Sequence, residues 1–564
     1  MGHKKITQND GLKPILRIAT GMVLSALLLT FCQAPWDLSF LAWVGLVPFV
    51  LVCRPETSKK TLIITAYLVS FVSWLGNLYW IIPITGPGFI AFAAFQALYW
   101  PLLALGIRFL RSQNWPMAMA IPLLFVGAES IQSFLFTGFN WYFLAHSQYA
   151  NLFLIQIADL FGTFGISILI TAVNGVVADV IIAYQTKTLR QKQLWIETAA
   201  AIVLIGATVL YGMQNISNDP LVPTNDPLVG IVQTNVPSVV KEETDNAQNI
   251  LNTLFSLSDQ CLAAGAKLII WPETMVLASL NPGYRMYCDP NSEPERFHRQ
   301  IAAYAKANQC YILVGAHGAY VGEVKGKLDV TERFNSAYLY TPDGIQSGLR
   351  YDKIHLVPFG EYIPFKKSFP PLYKMFTLFN PYDYDYNLTP GKDHTAFPIR
   401  LGGQDYAFSV MICYEDTDPA ISRHSVYQDG KKRIDWLVNM SNDGWYVRFE
   451  NGKIRPSVEL AQRTAISVFR CIENRVAVVR SVNTGISCLI DPFGRIQNQY
   501  FAGNLPIEAM SRQGVEGWFA SAVPQSKTVT FYTRFGDWID KTPAAALVII
   551  FVTYWIKNRI RRHK

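Results

Sequence analysis

The chain has 564 residues, 51% of them hydrophobic and only 16% charged, and its mean hydropathy is +0.18. That balance excludes an ordinary soluble protein of this size and requires that part of the chain sit in lipid. The formal net charge of +8 does not point to nucleic acid, because the basic residues fall in short clusters between apolar runs and at the C-terminus, where Lys557, Arg559, Arg561, Arg562 and Lys564 gather; these read as membrane topology signals.

Apolar runs of membrane-crossing character lie near Ile18 to Ala34, Leu38 to Cys53, Thr61 to Ile82, Gly88 to Leu110, Pro116 to Phe136, Ile155 to Ala183 and Trp195 to Met213. An eighth, Thr542 to Ile556, is short, but Trp538 and Trp555 suit an interface and the basic residues after it can snorkel. The first run follows lysines as a signal peptide does, yet it has no convincing small-residue cleavage site and reads as retained. Lys4, Lys5, Lys13 and Arg17 precede run one, Arg54, Lys59 and Lys60 follow run two, Arg108 and Arg111 run four, and Lys187, Arg190 and Lys192 run six. The alternate loops carry almost no Lys or Arg, so the positive-inside rule puts the N-terminus in the cytoplasm. An odd number of crossings then places the following globular part outside. The expected organisation is residues 1–213 as about seven membrane helices, 226–537 as an extracytoplasmic catalytic domain, and 538–564 as a last span with a basic tail.

Glu129, Asp159 and Asp179 lie at or near lipid depth and are functional candidates; their alternative role is hydrogen bonding between helices or at a helix end. The segment Thr137 to Tyr142, with His146 after it, is aromatic and uncharged, either an interfacial belt or part of a substrate path.

Beyond the membrane part the pattern changes. Leu228 to Val236 reads as a strand, Glu242 to Ala264 as helix, Lys267 to Trp271 as strand, Pro294 to Asn308 as helix and Cys310 to Ala316 as strand. Strand-like Asn335 to Tyr340, Tyr406 to Cys413 and Trp436 to Met440 follow, then a helix near Pro456 to Ile472 and strands Val476 to Val482 and Ile486 to Ile490. Alternation of this kind predicts a layered α/β domain.

Three segments carry chemistry. Leu268 to Pro272 leads to Glu273; Tyr351-Asp352-Lys353 precedes Val357-Pro358-Phe359-Gly360-Glu361; and an apolar run from Tyr406 delivers Cys413, followed by Tyr414, Glu415 and Asp416. A glutamate takes a thiol proton, a thiolate attacks a carbonyl, and an ammonium stabilises the oxyanion that forms while lowering the thiol pKa. Taken singly, each has a plainer reading: a carboxylate in a helix's first turn, a solvated lysine, a small buried thiol. The 8 cysteines show no Cys-x-x-Cys spacing and no His/Cys cluster, so no metal and no cofactor is expected.

Together these motifs resemble the nitrilase, or carbon-nitrogen hydrolase, superfamily, whose Glu-Lys-Cys triad matches Glu273, Lys353 and Cys413. With the membrane runs, and with Val357-Pro358-Phe359-Gly360-Glu361 as the most specific match, the chain is similar to the apolipoprotein N-acyltransferase family. Val232 to Pro237, Ser441 to Trp445 and Asn483-Thr484-Gly485 extend the likeness. It implies a multi-span α-helical membrane domain joined to a nitrilase-like αββα sandwich, with Glu361, Tyr414 and Glu415 supporting the triad. It also implies a multi-pass protein of the plasma (inner) membrane with its catalytic domain on the periplasmic side. The implied reaction moves an acyl chain from a phospholipid donor to Cys413 as a thioester, then to the N-terminal amine of a diacylglyceryl-modified lipoprotein acceptor.

Glu242 stands where the resemblance leads one to expect tryptophan, Trp445-Tyr446-Val447 replaces the usual Trp-Phe-Gly, and Arg463 follows Gln462 where histidine is expected. The aromatic segment Tyr362 to Tyr386 reads as a lid or as a packed insertion. A membrane-anchored amidase or nitrilase that passes its acyl group to water is the alternative, as is a transporter or scaffold; the number of spans speaks against the first and an intact triad against the second.

Overall fold

A computed structural model describes residues 9–218, 227–241, 246–324, 326–366, 368–377, 386–539 and 541–563. Two compact units emerge, one of residues 1–218 and 535–564 and the other of residues 219–534.

The first unit is helical. Among its described residues, five helical stretches are long and apolar enough to cross a membrane: Lys13–Phe31, Gly86–Ser112, Met117–Phe134, Ala158–Gln185 and Lys192–Ser217. Two of the remaining expected runs form shorter apolar stretches, Ser39–Val52 and Lys541–Ile556. The former splits into a 3₁₀ turn, Ser39–Trp43, and a six-residue helix, Val47–Val52, with Pro48 in its first turn. The Thr61 to Ile82 run folds as the 19-residue helix Lys59–Asn77, which opens on two lysines and is not among those five.

Several buried polar groups in this unit find their partners within it, as lipid favours. Asp179 Oδ2 accepts from the Met117 and Ala118 amides at 2.6 and 3.1 Å, so one helix caps the start of another. Asp159 accepts from the Tyr211 hydroxyl and from Asn215 Nδ2 at 2.6 Å, and Glu129 Oε1 accepts from the Leu144 amide at 2.7 Å. Of the two roles open to these three carboxylates, the contacts fit the architectural one. The expected aromatic belt also turns inward. Trp141 is buried, packing 5.3 Å from Trp80 and stacking 5.9 Å from Phe139, and Gln132 Nε2 donates to the carbonyls of Phe139 and Trp141.

The second unit is built on two main sheets. One contains β1 (Leu228–Gln233), β2 (Leu268–Ile270), β3 (Val276–Ser279), β4 (Tyr311–Val324), β5 (Lys327–Tyr340) and β6 (Gln346–Asp352). The other begins with β7 (Ala396–Leu401) and β8 (Gln404–Ile412); a small hairpin, β9 (Tyr427–Gln428) with β10 (Lys431–Lys432), precedes its β11 (Trp436–Ser441). After a second hairpin, β12 (Arg448–Glu450) with β13 (Lys453–Arg455), come β14 (Ala477–Val482), β15 (Cys488–Ile490) and β16 (Ile496–Gln497). β17 (Ala502–Gly503) and β18 (Gly517–Ala522) return to the first sheet.

The first sheet runs β17-β18-β1-β2-β4-β5-β6, with β3 beside β4; the second runs β16-β15-β14-β11-β8-β7. Central pairs β1/β2, β2/β4, β8/β11 and β11/β14 are parallel. Buried on both faces, such strands need continuous apolar sequence, as Leu268 to Ile270 and Val410 to Ile412 supply. Helices Ala247–Ala263 and Glu293–Asn308 cover the first sheet, bringing Leu254, Leu257, Phe297 and Ile301 against Ile269, Trp271 and Ile312. Helix Val458–Asn474 packs on the second. Where the sheets meet, Ser481 Oγ on β14 lies 3.0 Å from the carbonyl oxygens of Val232 on β1 and Ile270 on β2. This is an αββα sandwich.

Candidate active site

β2 ends at Ile270, and Trp271-Pro272-Glu273 carry the chain off the sheet, since proline has no N–H for the ladder. The turn fits because residue 315 on β4 is glycine. A Cβ there would lie 2.3 Å from the Pro272 carbonyl oxygen and 2.8 Å from Glu273 Cα. Glu273 is buried, its Oε1 accepting from Asn335 Nδ2 at 2.6 Å and its Oε2 from the Asn442 amide at 2.7 Å. Burial alone would raise this carboxyl, but Lys353, Asn335, Lys241 and the Asn442 amide together hold it below the usual glutamate range.

Lys353 follows the last residue of β6 and is 1% exposed. Its Nζ donates to Glu361 Oε1 at 2.8 Å and stands 3.6 Å from Glu273 Oε1. Its main chain is fixed on both sides, the N–H donating to the Asn335 carbonyl and the carbonyl accepting from the Gly391 amide, each at 2.8 Å. Burial disfavours the ammonium, yet Glu361, Cys413 and Glu273 outweigh it and raise the lysine pKa, so the cation persists. Glu361 is itself aimed by the Val357 amide, 2.8 Å from its Oε2, and by Asn335 Nδ2 at 3.2 Å.

Cys413 comes from the other sheet. β8 stops at Ile412, and Cys413 adopts a left-handed backbone, φ +52°, as the first residue of the 3₁₀ turn Cys413–Thr417. A non-glycine residue held there marks a position fixed by its surroundings. Glu415 is part of what fixes it. Its Oε2 accepts from the Ile412 amide at 2.6 Å and the Tyr351 hydroxyl at 2.7 Å, and its Oε1 from the Ile354 and His355 amides at 2.6 and 3.0 Å. One carboxyl thus ties the cysteine turn to the segment bearing Lys353. Burial pushes it up to about 7 against those four donors. Tyr414 sets its ring edge-on to His355, centroids 5.4 Å apart.

Glu273, Lys353, Arg463 and Asp443 all act electrostatically on the Cys413 thiol. Burial first, then the Glu273 charge, pushes it up to about 12, while Lys353 and Arg463 pull it down. At neutral pH the proton therefore rests on sulfur and Glu273 is the anion. That is a thiol beside a carboxylate and a fixed cation, a set chemically suited to acyl transfer through a covalent intermediate.

All six residues singled out from the sequence, Glu273, Lys353, Cys413, Glu361, Tyr414 and Glu415, belong to this cluster. Asn335 escaped notice as a site residue because an asparagine opening a strand has no local signature. Arg463 was marked only as a departure, yet its Nη1 lies 3.6 Å from Cys413 Sγ. The signal is four arginines, 463, 470, 475 and 480, spaced through a mostly apolar stretch; all four are buried. Tyr446 is buried near enough to Cys413 to sense its charge, Trp445 is exposed, and Glu242 lies outside the described residues. In the aromatic segment, helix Pro370–Thr377 has no buried residue, and Phe376 packs against Phe359 and Phe365. Among the described residues no group of His, Cys, Asp and Glu is arranged to hold a metal ion.

A model of the apolipoprotein N-acyltransferase N-terminal domain matches residues 25–176, and a model of the carbon-nitrogen hydrolase domain matches residues 228–518. The chain is 30% identical over 529 residues to the apolipoprotein N-acyltransferase of Geobacter metallireducens, covering 91% of each. It is 27% identical over 471 residues to that of Bradyrhizobium diazoefficiens, covering 81% of this chain and 76% of the other. Similar solved structures include a CN-hydrolase superfamily protein from Xanthomonas campestris, at 18% identity and a TM-score of 0.33 over 53% of this chain and 91% of the other. An amidase from Nesterenkonia sp. aligns at 15% identity and a TM-score of 0.33, over 56% of this chain and 95% of its own.

Proposed function

The chain belongs to the apolipoprotein N-acyltransferase family, and from that premise we propose that it acylates lipoproteins by a two-step transfer through Cys413. The observation that carries this reading is the buried meeting of Glu273 and Lys353, 3.6 Å apart, both acting on the Cys413 sulfur. In the first step the thiol proton passes to Glu273 as Sγ attacks an ester carbonyl carbon of a phospholipid. Lys353 stabilises the oxyanion, the ester C–O bond breaks, and the Glu273 proton leaves with the lysophospholipid hydroxyl. The thioester remains. In the second step the α-amine of a diacylglyceryl cysteine attacks the thioester carbonyl, the C–S bond breaks, and the amine's proton returns to sulfur by way of Glu273.

The supporting roles follow from contacts. Glu361 and Asn335 hold Lys353 and Glu273 in register, and Glu415 fixes the cysteine turn against the Lys353 segment. We place the enzyme in the plasma (inner) membrane as a multi-pass protein, with residues 219–534 on the periplasmic side, on the strength of the alternating Lys and Arg content of the loops.

Incubation of the purified protein with phospholipid should add one acyl mass to the Cys413 peptide, and a diacylglyceryl peptide should then remove it as an amide. Cys413→Ala should abolish both signals while leaving a folded, membrane-embedded protein. Transfer by that variant would overturn the assignment, and release of free fatty acid with no amide product would instead identify a hydrolase.

A further inference from the structure

The Cys413 sulfur has a second cation beside it that the triad does not include. Arg463 comes from helix Val458–Asn474 and is 1% exposed. Its Nη1 lies 3.6 Å from Cys413 Sγ and donates to Ser441 Oγ at 2.9 Å and Asp443 Oδ1 at 2.7 Å; its Nη2 reaches both Asp416 carboxylate oxygens at 3.2 Å. Asp416 also accepts from Arg480 Nη1 at 2.6 Å and from Ser467 Oγ at 3.1 Å. The guanidinium is therefore clamped at two points, and its position next to sulfur is not that of a flexible side chain passing by. The clamp is also backed by a glycine: at Gly485 a Cβ would stand 2.2 Å from Asp443 Oδ2, so only the bare backbone lets Asp443 sit there.

We propose that Arg463 is a catalytic residue of the acyl-transfer site, a fixed cation that stabilises the Cys413 thiolate both as the attacking group and as the group expelled when the thioester is cleaved. The proposal rests on the reading of Cys413 as nucleophile. Lys353 then is free to serve the carbonyl oxygen while Arg463 serves the sulfur. Two developing negative charges, on different atoms, meet two different cations.

The charged and titratable groups facing the sulfur are Glu273, Lys353, Arg463 and Asp443, with Tyr446 close by; those facing Arg463 are Asp416, Asp443, Cys413 and Glu459. Glu459 Oε1 lies 3.6 Å from Arg463 Nη1, but burial raises that carboxyl well above its usual range, and the shorter contacts that hold the arginine are those to Asp443 at 2.7 Å and Asp416 at 3.2 Å. Removing Arg463 and removing Asp443 should thus move the thiol in opposite directions.

The test is the rate at which iodoacetamide alkylates Cys413 in the full-length protein between pH 7 and 9, read by peptide mass. Cys288, the one cysteine of the eight that is not buried, gives the internal reference. Arg463→Gln should slow Cys413 about tenfold, the effect of a one-unit rise in thiol pKa. Asp443→Asn should speed it, and Arg463→Lys should retain most of the wild-type rate. Cys288 should be unchanged in all three. If Arg463→Gln and Asp443→Asn shift the rate in the same direction, or neither shifts it, the arginine is only architectural and the proposal fails. That failure is distinct from failure of the acyl-enzyme reading, which the wild-type thioester experiment decides without any Arg463 variant. Should Arg463→Gln not fold, Arg463→His decides: its rate relative to wild type should fall as the pH rises through the imidazole's titration, and a ratio that does not change with pH overturns the proposal.

Discussion

In the proposed mechanism Glu273 carries the proton, and its surroundings set the pH at which it would work. Its carboxyl lies below the ordinary value of 4.5, so the favourable contribution of its charge is present above that value and is lost as the pH falls through the lower folded-state value. The acid limb of thioester formation should therefore lie below pH 4.5. Glu273→Gln should lower the rate by about 10²–10⁴-fold with little change in folding. Turning the Asn335 side chain over would give the new amide an acceptor in Asn335 Oδ1, which has no hydrogen-bond partner among the described residues, at the cost of the 3.2 Å donation from Asn335 Nδ2 to Glu361 Oε1. Of the three proposed catalytic residues, Glu273 and Cys413 were legible because each follows an apolar run, and Lys353 because the motif Val357-Pro358-Phe359-Gly360-Glu361 comes shortly after it. Asn335 and Arg463 were not legible as site residues, since one is 62 positions from the carboxylate it aims and the other 50 from the sulfur it touches. No local periodicity encodes such pairings.

At the level of elements, every buried strand named from the sequence appears, because a strand covered on both faces must be apolar and β-prone throughout. The edges were harder to read. β4 and β5 extend as Tyr311–Val324 and Lys327–Tyr340, well beyond the expected Cys310 to Ala316 and Asn335 to Tyr340. Their outer ends, 320–324 and 327–333, are half-exposed or exposed and mixed in composition, so antiparallel pairing with each other, rather than burial, makes them strands. β6 and β7 escaped for a similar reason: β6 is exposed or half-exposed at all but one residue, and β7 mostly alternates between buried and exposed residues. An element also fixes the site by what it lacks. Gly315→Ala would press a methyl group on the backbone of Pro272 and Glu273, so the expected outcome is a loss of about 1–3 kcal/mol in stability together with slower thioester formation. Thermal melting and single-turnover acylation of the same sample measure both.

Across the whole molecule, two solvents shape two units. The helical unit buries its carboxylates on backbone amides, a hydroxyl and a side-chain amide, whereas the sandwich buries ion pairs, Lys353–Glu273 in the candidate site and Arg470–Glu473 on helix Val458–Asn474 among them. If residues 219–534 face the periplasm, protease added to spheroplasts should digest them, and protease added to inverted membrane vesicles should leave them whole. The reverse pattern would refute the assigned orientation. The sandwich has one more consequence. Glu273 and Lys353 come from the ends of β2 and β6, Cys413 and Asn442 from the ends of β8 and β11, and Ser481 bridges the two layers. Reactivity is thus a vernier on how the layers are aligned: a slip of one residue, about 3.3 Å, would part base from sulfur while leaving each layer's own ladder whole.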